Sequence, residues 1–260
     1  MNFDFAFLRA YENNEPIQTD HYFQWNSEGP LEGEPLFVVG NPGSTNRIFT
    51  ADRMEVLRSE NIPSALAFID DRLERFNAYS EQSDEHALHA DNAIKSLMNS
   101  RKVYKGRLKA LHELPIIANK RESETALLAQ LPESQRQPWS DISICLKENK
   151  ESYEEALLLE WRSFIFSKAY GKARHLVRLS QELQKPNEER LKEYVDSELP
   201  TVKRAILSKE PVYPEFEVCA IEAGLDNVRD QLTNLHPLVA ALEGSPSPEE
   251  IMAKTQITSL

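Results

Sequence analysis

From about Thr50 to the end of the 260-residue chain, apolar residues recur every three or four positions, and no other feature constrains the fold as tightly. Ile62, Ala65, Leu66, Ile69, Leu73 and Phe76 fall on one helical face. The set Ile94, Leu97, Met98, Tyr104, Leu108 and Leu111 repeats the pattern, and so does the run Leu158, Trp161, Ile165, Leu176, Leu179 and Leu183. Such stripes predict helices that pack by one side against a shared core. Prolines at positions 115, 132, 138, 186, 200, 211, 214, 237 and 248 punctuate this region, several where the first turn of a helix tolerates a missing N–H. About eight helices are expected, and "GSPSPEE" at Gly244 to Glu250 reads as a helix end, a turn and a new start.

Before Thr50 the pattern is that of strands: Phe3 to Tyr11, His21 to Trp25 and Leu36 to Val39, separated by loops carrying Pro16, Gly29, Pro30 and Gly33. Three short strands do not make a domain, so they are expected to belong to a sheet completed elsewhere. The expected class is mainly α with a small β part, divided into residues 1–47 and 48–260. An apolar strand immediately at the start, "FDFAFLRAY", is a first hint of truncation.

Charge excludes several functions. Forty-two Asp and Glu against 30 Lys and Arg give a net charge of −12, with no compact Lys/Arg block, which argues against a nucleic-acid partner. No apolar run approaches the roughly 18 to 20 residues of a membrane span, so no membrane partner is expected. A chain this long buries a sizeable core without a disulfide or metal. Cys145 and Cys219 lie in amphipathic stretches and read as buried thiols, with a bridge between them left open.

Four places carry candidate chemistry. "GNPGST", Gly40 to Thr45, imitates a nucleophile turn, but Pro42 stands where the serine belongs and Ser44 comes two residues late. A turn ending a strand, freed by Gly40 and Gly43, is the plainer reading. A phosphate loop would need a lysine before Ser44. "DEHALHAD" puts His86 and His89 three apart among carboxylates, a metal-like face without a third ligand at a recognised spacing; a solvated acidic helix accounts for it as well, and no metal is expected. His21, His112, His175 and His236 are isolated. Asp4 heads an apolar strand, where a carboxylate beside a histidine would orient and stabilise the imidazolium; a solvated terminal carboxylate is the ordinary alternative.

Taken in order, "DFAFLRAYENN", "HYFQW", "LFVVGNPGSTNR", "NSRKVYKGRLKAL" and "PVYPEFEVCAIEAGLDNVRDQL" resemble the bacterial dipeptidyl-peptidases of the 7 and 11 type, from about Asn2 to Leu260. The resemblance implies a chymotrypsin-like double β-barrel with a helical domain inserted between the barrels. Residues 1–47 would be a remnant of the first barrel, about three strands, and residues 48–260 an incomplete helical lid. It implies a serine-type aminopeptidase that removes N-terminal dipeptides from a peptide substrate, without a cofactor, exported to the periplasm and tending to homodimers. Asp4 matches the triad aspartate, and Asn99 in "LMNSRKVYKG" matches the asparagine that holds the substrate's free amine. The family's triad histidine would lie upstream of Asp4, and its serine turn, G-N-S-G-S-P, does not occur in this sequence. The chain is thus expected to be an internal fragment, inactive alone. Periplasmic residence would belong to the complete enzyme; expressed as written, with no export signal, the chain would stay cytoplasmic. The competing reading is a non-catalytic acidic helical interaction module, set against the apolar character that "FDFAFLRAY" and "LFVVG" retain.

Overall fold

The computed structural model describes residues 7–37, 40, 45–148, 150–232 and 236–257, and it forms two units, Met1–Arg47 and Ile48–Leu260. Asp4, Val38, Val39 and Ser44 therefore lie outside the described residues.

In the first unit a hairpin joins β1 (Tyr11–Glu12) and β2 (Glu15–Pro16), antiparallel, with Tyr11 opposite Pro16 and Glu12 opposite Glu15. Asn13 and Asn14 form its two-residue turn with φ of 50° and 66°. Asparagine tolerates this left-handed region, and a turn with two such residues matches the twist of the flanking strands. Ile17 N donates to Ala10 O at 3.0 Å and extends the pairing by one bond. The strand expected at His21–Trp25 does not form, and of the described residues in the stretch ending at Tyr11 only Tyr11 is in a strand, with Ala10 adding the one bond to Ile17. Leu36 and Phe37 also carry no ladder. The reason is lack of cover: Phe7, Leu8, Phe23, Trp25 and Phe37 stand exposed, so nothing offsets the cost of ordering an extended chain. No closed barrel is present among the described residues.

The second unit is helical throughout. Its α-helices are α1 (Ala51–Val56), α2 (Ile62–Ser80), α3 (Asp84–Glu113), α4 (Ile116–Gln130), α5 (Gln137–Glu148), α6 (Lys150–Ala156), α7 (Lys168–Glu182), α8 (Leu199–Ile206), α9 (Pro214–Gln231), α10 (Pro237–Leu242) and α11 (Pro248–Lys254). Wide, π-type winding over Leu57–Asn61 and Leu157–Arg162 links α1 to α2 and follows α6. Proline opens α9, α10 and α11, as their sequence suggested. In α11 the hydroxyl of Ser247 and the carboxylate of Glu250 complete a reciprocal cap, and Gly244 takes φ 74° at the preceding turn.

The α2–α3 hairpin supplies the main core. Ile69, Leu73, Phe76 and Tyr79 of α2 meet Ala90 and Leu97 of α3 and Phe216 and Ala220 of α9. Phe76 is fully buried, its ring 5.0 Å from that of Phe216 and 5.3 Å, edge-on, from Phe166. The stripe expected from Ile62 to Phe76 is thus the core face. The run beginning at Leu158 is not: Leu158 is buried, but Trp161 is 67% and Ile165 64% exposed, and Leu176 and Leu183 also face solvent. The π-type turn and the non-helical residues before α7 reset the helical phase, so one periodic run becomes two unrelated faces.

Buried polar groups knit α9 to its neighbours. Glu217, 2% exposed, accepts from Ser167 Oγ at 2.6 Å, Lys168 N at 3.0 Å and Ala169 N at 3.1 Å, capping the start of α7 with a carboxylate. Gly224 permits Phe164 and Ser163 to approach, since a Cβ there would come within 2.4 Å of the Phe164 ring and 2.6 Å of the Ser163 carbonyl. Arg72 is buried between Asp71, the Phe68 ring and the Ser163 carbonyl, and Arg75 joins Asp71 to Asp226 of α9. No disulfide joins the cysteines: Cys145 is exposed, contrary to expectation, because α5 turns that face outward. Cys219 is partly buried, and that burial pushes its thiol up to about 11. No helix among the described residues is long and apolar enough to cross a membrane.

Candidate functional site

α3 positions the two groups of residues that the sequence singled out. Ser83 opens it: its hydroxyl accepts from His86 N at 3.3 Å, leaving Asp84 and Glu85 in the first turn, where the helix dipole favours negative charge. Farther along, Leu97 is turned into the core, which at 3.6 residues per turn puts Asn99 on the opposite face. Asn99 is exposed and its amide has no hydrogen-bonded partner among the described residues. One turn before it stands Lys95, paired with Asp91 at 2.7 Å, and one turn after it Lys102. An amide carbonyl can accept from an ammonium, but two lysines beside it oppose a second cation. Alone, Asn99 offers one acceptor; binding an amine there would need a carboxylate or aromatic face from elsewhere as well.

At the other end of α3 the histidines are fully engaged. His86 Nδ1 lies 2.7 Å from Ser83 Oγ, and its Nε2 lies 3.1 Å from Glu215 Oε2. His89 stacks on Tyr213 with ring centroids 3.9 Å apart, and its Nδ1 meets Tyr79 Oη at 3.2 Å. Burial, with Glu215 adding to it, pushes the Tyr79 phenol up to about 12. These residues border an open cleft of 590 Å³ lined by Tyr79, His86, Glu215, Cys219, Glu222 and Glu249. The metal-like reading of His86 and His89 dissolves into these protein contacts, and no group of three or more ligands for a metal ion occurs among the described residues.

Ser83, His86 and Glu215 form a serine–histidine–carboxylate line that meets hydrogen-bond distances, and sequence spacing did not reveal it because Glu215 comes from a distant helix. The arrangement is a helix cap rather than a nucleophile. Its hydroxyl is occupied by the His86 backbone N–H, and Asp84 and Glu85 would repel an oxyanion developing beside it. The other two candidates, Asp4 and Ser44, lie outside the described residues.

Comparison with known proteins adds what the geometry does not carry. The profile of the family described as Peptidase S46 matches residues 1–259. The Asp/Glu-specific dipeptidyl-peptidase of Shewanella putrefaciens (strain CN-32 / ATCC BAA-453) is 25% identical over 215 residues, which cover 75% of this chain and 28% of that protein. The chain therefore spans well under a third of the curated relative it matches.

Proposed function

The chain belongs to the Peptidase S46 family, and on that premise we propose that it forms the helical lid and adjoining first-barrel strands of a serine-type dipeptidyl-peptidase. In the assembled enzyme Asp4 orients the catalytic histidine and stabilises its charged form. Asn99 accepts a hydrogen bond from the substrate's free α-amine, which fixes the cut two residues from the N-terminus. The histidine and the serine come from segments other than residues 1–260, so this chain alone does not hydrolyse peptides; a hydroxyl without its base or oxyanion donors retains little catalytic power. Periplasmic residence and a homodimeric state of the whole enzyme belong to the same proposal.

The observation that carries the reading is the family match over 1–259, joined by a relative named as a dipeptidyl-peptidase. The solvent-facing placement of Asn99 supports its role, since an asparagine turned into the core could not meet a substrate. The role is tested by following the Asn99 side-chain amide resonance during titration with a short peptide. A free-amine peptide is expected to shift it and the N-acetylated form to leave it in place. Equal shifts from both peptides would remove Asn99 from amine recognition.

A further inference from the structure

The solvent face of α3 departs from the charge balance of the rest of the chain. Overall the protein carries −12, yet between Asp91 and Glu113 there is no carboxylate, while Lys95, Arg101, Lys102, Lys105, Arg107 and Lys109 all fall there. The block is hidden from a linear reading because Leu, Val, Tyr and Gly separate its members, and the helix gathers it. Lys95, Lys102, Lys105 and Lys109 lie along one line, with steps of three, four and seven residues. All four are exposed. The line runs about 21 Å, the reach of about six residues of extended chain.

Some of this charge has a structural use. Arg101 pairs with Asp70 at 2.6 Å, Lys95 with Asp91 at 2.7 Å, and Lys109 with Glu113 at 3.8 Å. His112, in the last turn, also suits the negative end of the helix dipole, an effect confined to that turn. Neither use covers Lys102, Lys105 and Arg107, which sit farther inside the helix and have no ion pair among the described residues. Met98 and Val103, 59% and 42% exposed, interleave with them, while Gly106 leaves open space around its Cα.

We propose that this face of α3, centred on Lys102 and Lys105, is a docking rail for an acidic polypeptide segment in extended form. Charge complementarity names the occupant's sign. The apolar side chains beside the lysines and the bare backbone at Gly106 suit a polypeptide. Nucleic acid fits less well, because the face presents no aromatic ring on which a base could stack, Tyr104 being turned toward the core. A long polyanion or an anionic bilayer also meets the field of the whole acidic chain, whereas a short peptide meets mainly the rail. The proposal stands without the peptidase reading, since binding here requires neither a free amine nor catalysis.

The test uses fluorescence anisotropy of the whole chain with fluorescein-labelled N-acetyl-hexaglutamate, whose blocked end cannot use an amine site. Lys102→Glu/Lys105→Glu should weaken binding roughly tenfold or more, and added salt should weaken the native protein's binding likewise. The control Lys203→Glu/Lys209→Glu makes the same change in net charge at exposed positions elsewhere and should bind nearly as the native chain does. Circular dichroism checks that both variants keep their helices. No binding by the native chain, equal losses in the two variants, or tighter binding of labelled hexathymidylate or of phosphatidylserine vesicles would overturn the proposal.

Discussion

Glu217 shows how much one buried side chain can carry. Its carboxylate, itself buried, satisfies a hydroxyl and two backbone N–H groups at the start of α7, the Ser167 and Ala169 bonds fully buried and the Lys168 bond partly so. Glu217→Ala leaves those donors unpaired and should cost about 2–3 kcal/mol in denaturant unfolding. Gly224→Ala should cost about 1–3 kcal/mol, because the new Cβ meets a backbone carbonyl as well as a ring. Two other carboxylates give opposite pH signatures. Hydrogen bonds from Arg178 and then Arg174 hold Glu160 below the usual carboxylate range, so its stabilisation is full above the unfolded-state value and is lost as pH falls through the lower folded one. Burial, then Glu249 and Asp226, holds Glu222 above that range; its cost is present above the raised value and vanishes as pH falls through it. Glu160→Gln should therefore lower Tm at neutral pH and flatten the acid limb, while Glu222→Gln should raise Tm at neutral pH with no effect in strong acid.

At the scale of elements, α2 and α3 were legible because their apolar spacing follows 3.6 residues per turn, although Met98, expected in the α3 core stripe, is 59% exposed because it lies off the face that carries Leu97. The same rule places Asn99 away from the core, since Leu97 lies in it. The stretch from Leu158 to Leu183 misled because periodicity counts residues and cannot see a π-type turn that changes the count. The strand expectations misled for a different reason at the described residues 7–10, 21–25 and 36–37: β-propensity describes a fit to a covered surface, and among the described residues these side chains have no cover. The hairpin at Asn13 and Asn14 was written in the sequence as a paired left-handed turn, a signal overshadowed by the apolar run before it. α3 itself allows a clean test. Gly106 meets nothing that a Cβ would strike, so Gly106→Ala should stabilise the helix by about 0.5–1 kcal/mol, read as a higher urea midpoint with an unchanged m-value. Ser83→Ala should cost about 1 kcal/mol through the lost cap.

For the whole molecule, family membership was readable because it rests on motifs spread from one end of the chain to the other, and the profile match spans 1–259. The partners of His86 and Glu217 were not readable, since each reaches across helices that only the folded chain brings together. Under the proposed function, this chain supplies substrate-holding parts of a dipeptidyl-peptidase while the reacting serine and its base lie elsewhere. The direct measurement is release of fluorophore from dipeptidyl reporter substrates, acidic and apolar beside the cut, by the purified 260-residue chain. No turnover above buffer is expected with either. Turnover that disappears in Ser44→Ala or Ser83→Ala would contradict that expectation and place a working nucleophile inside this chain.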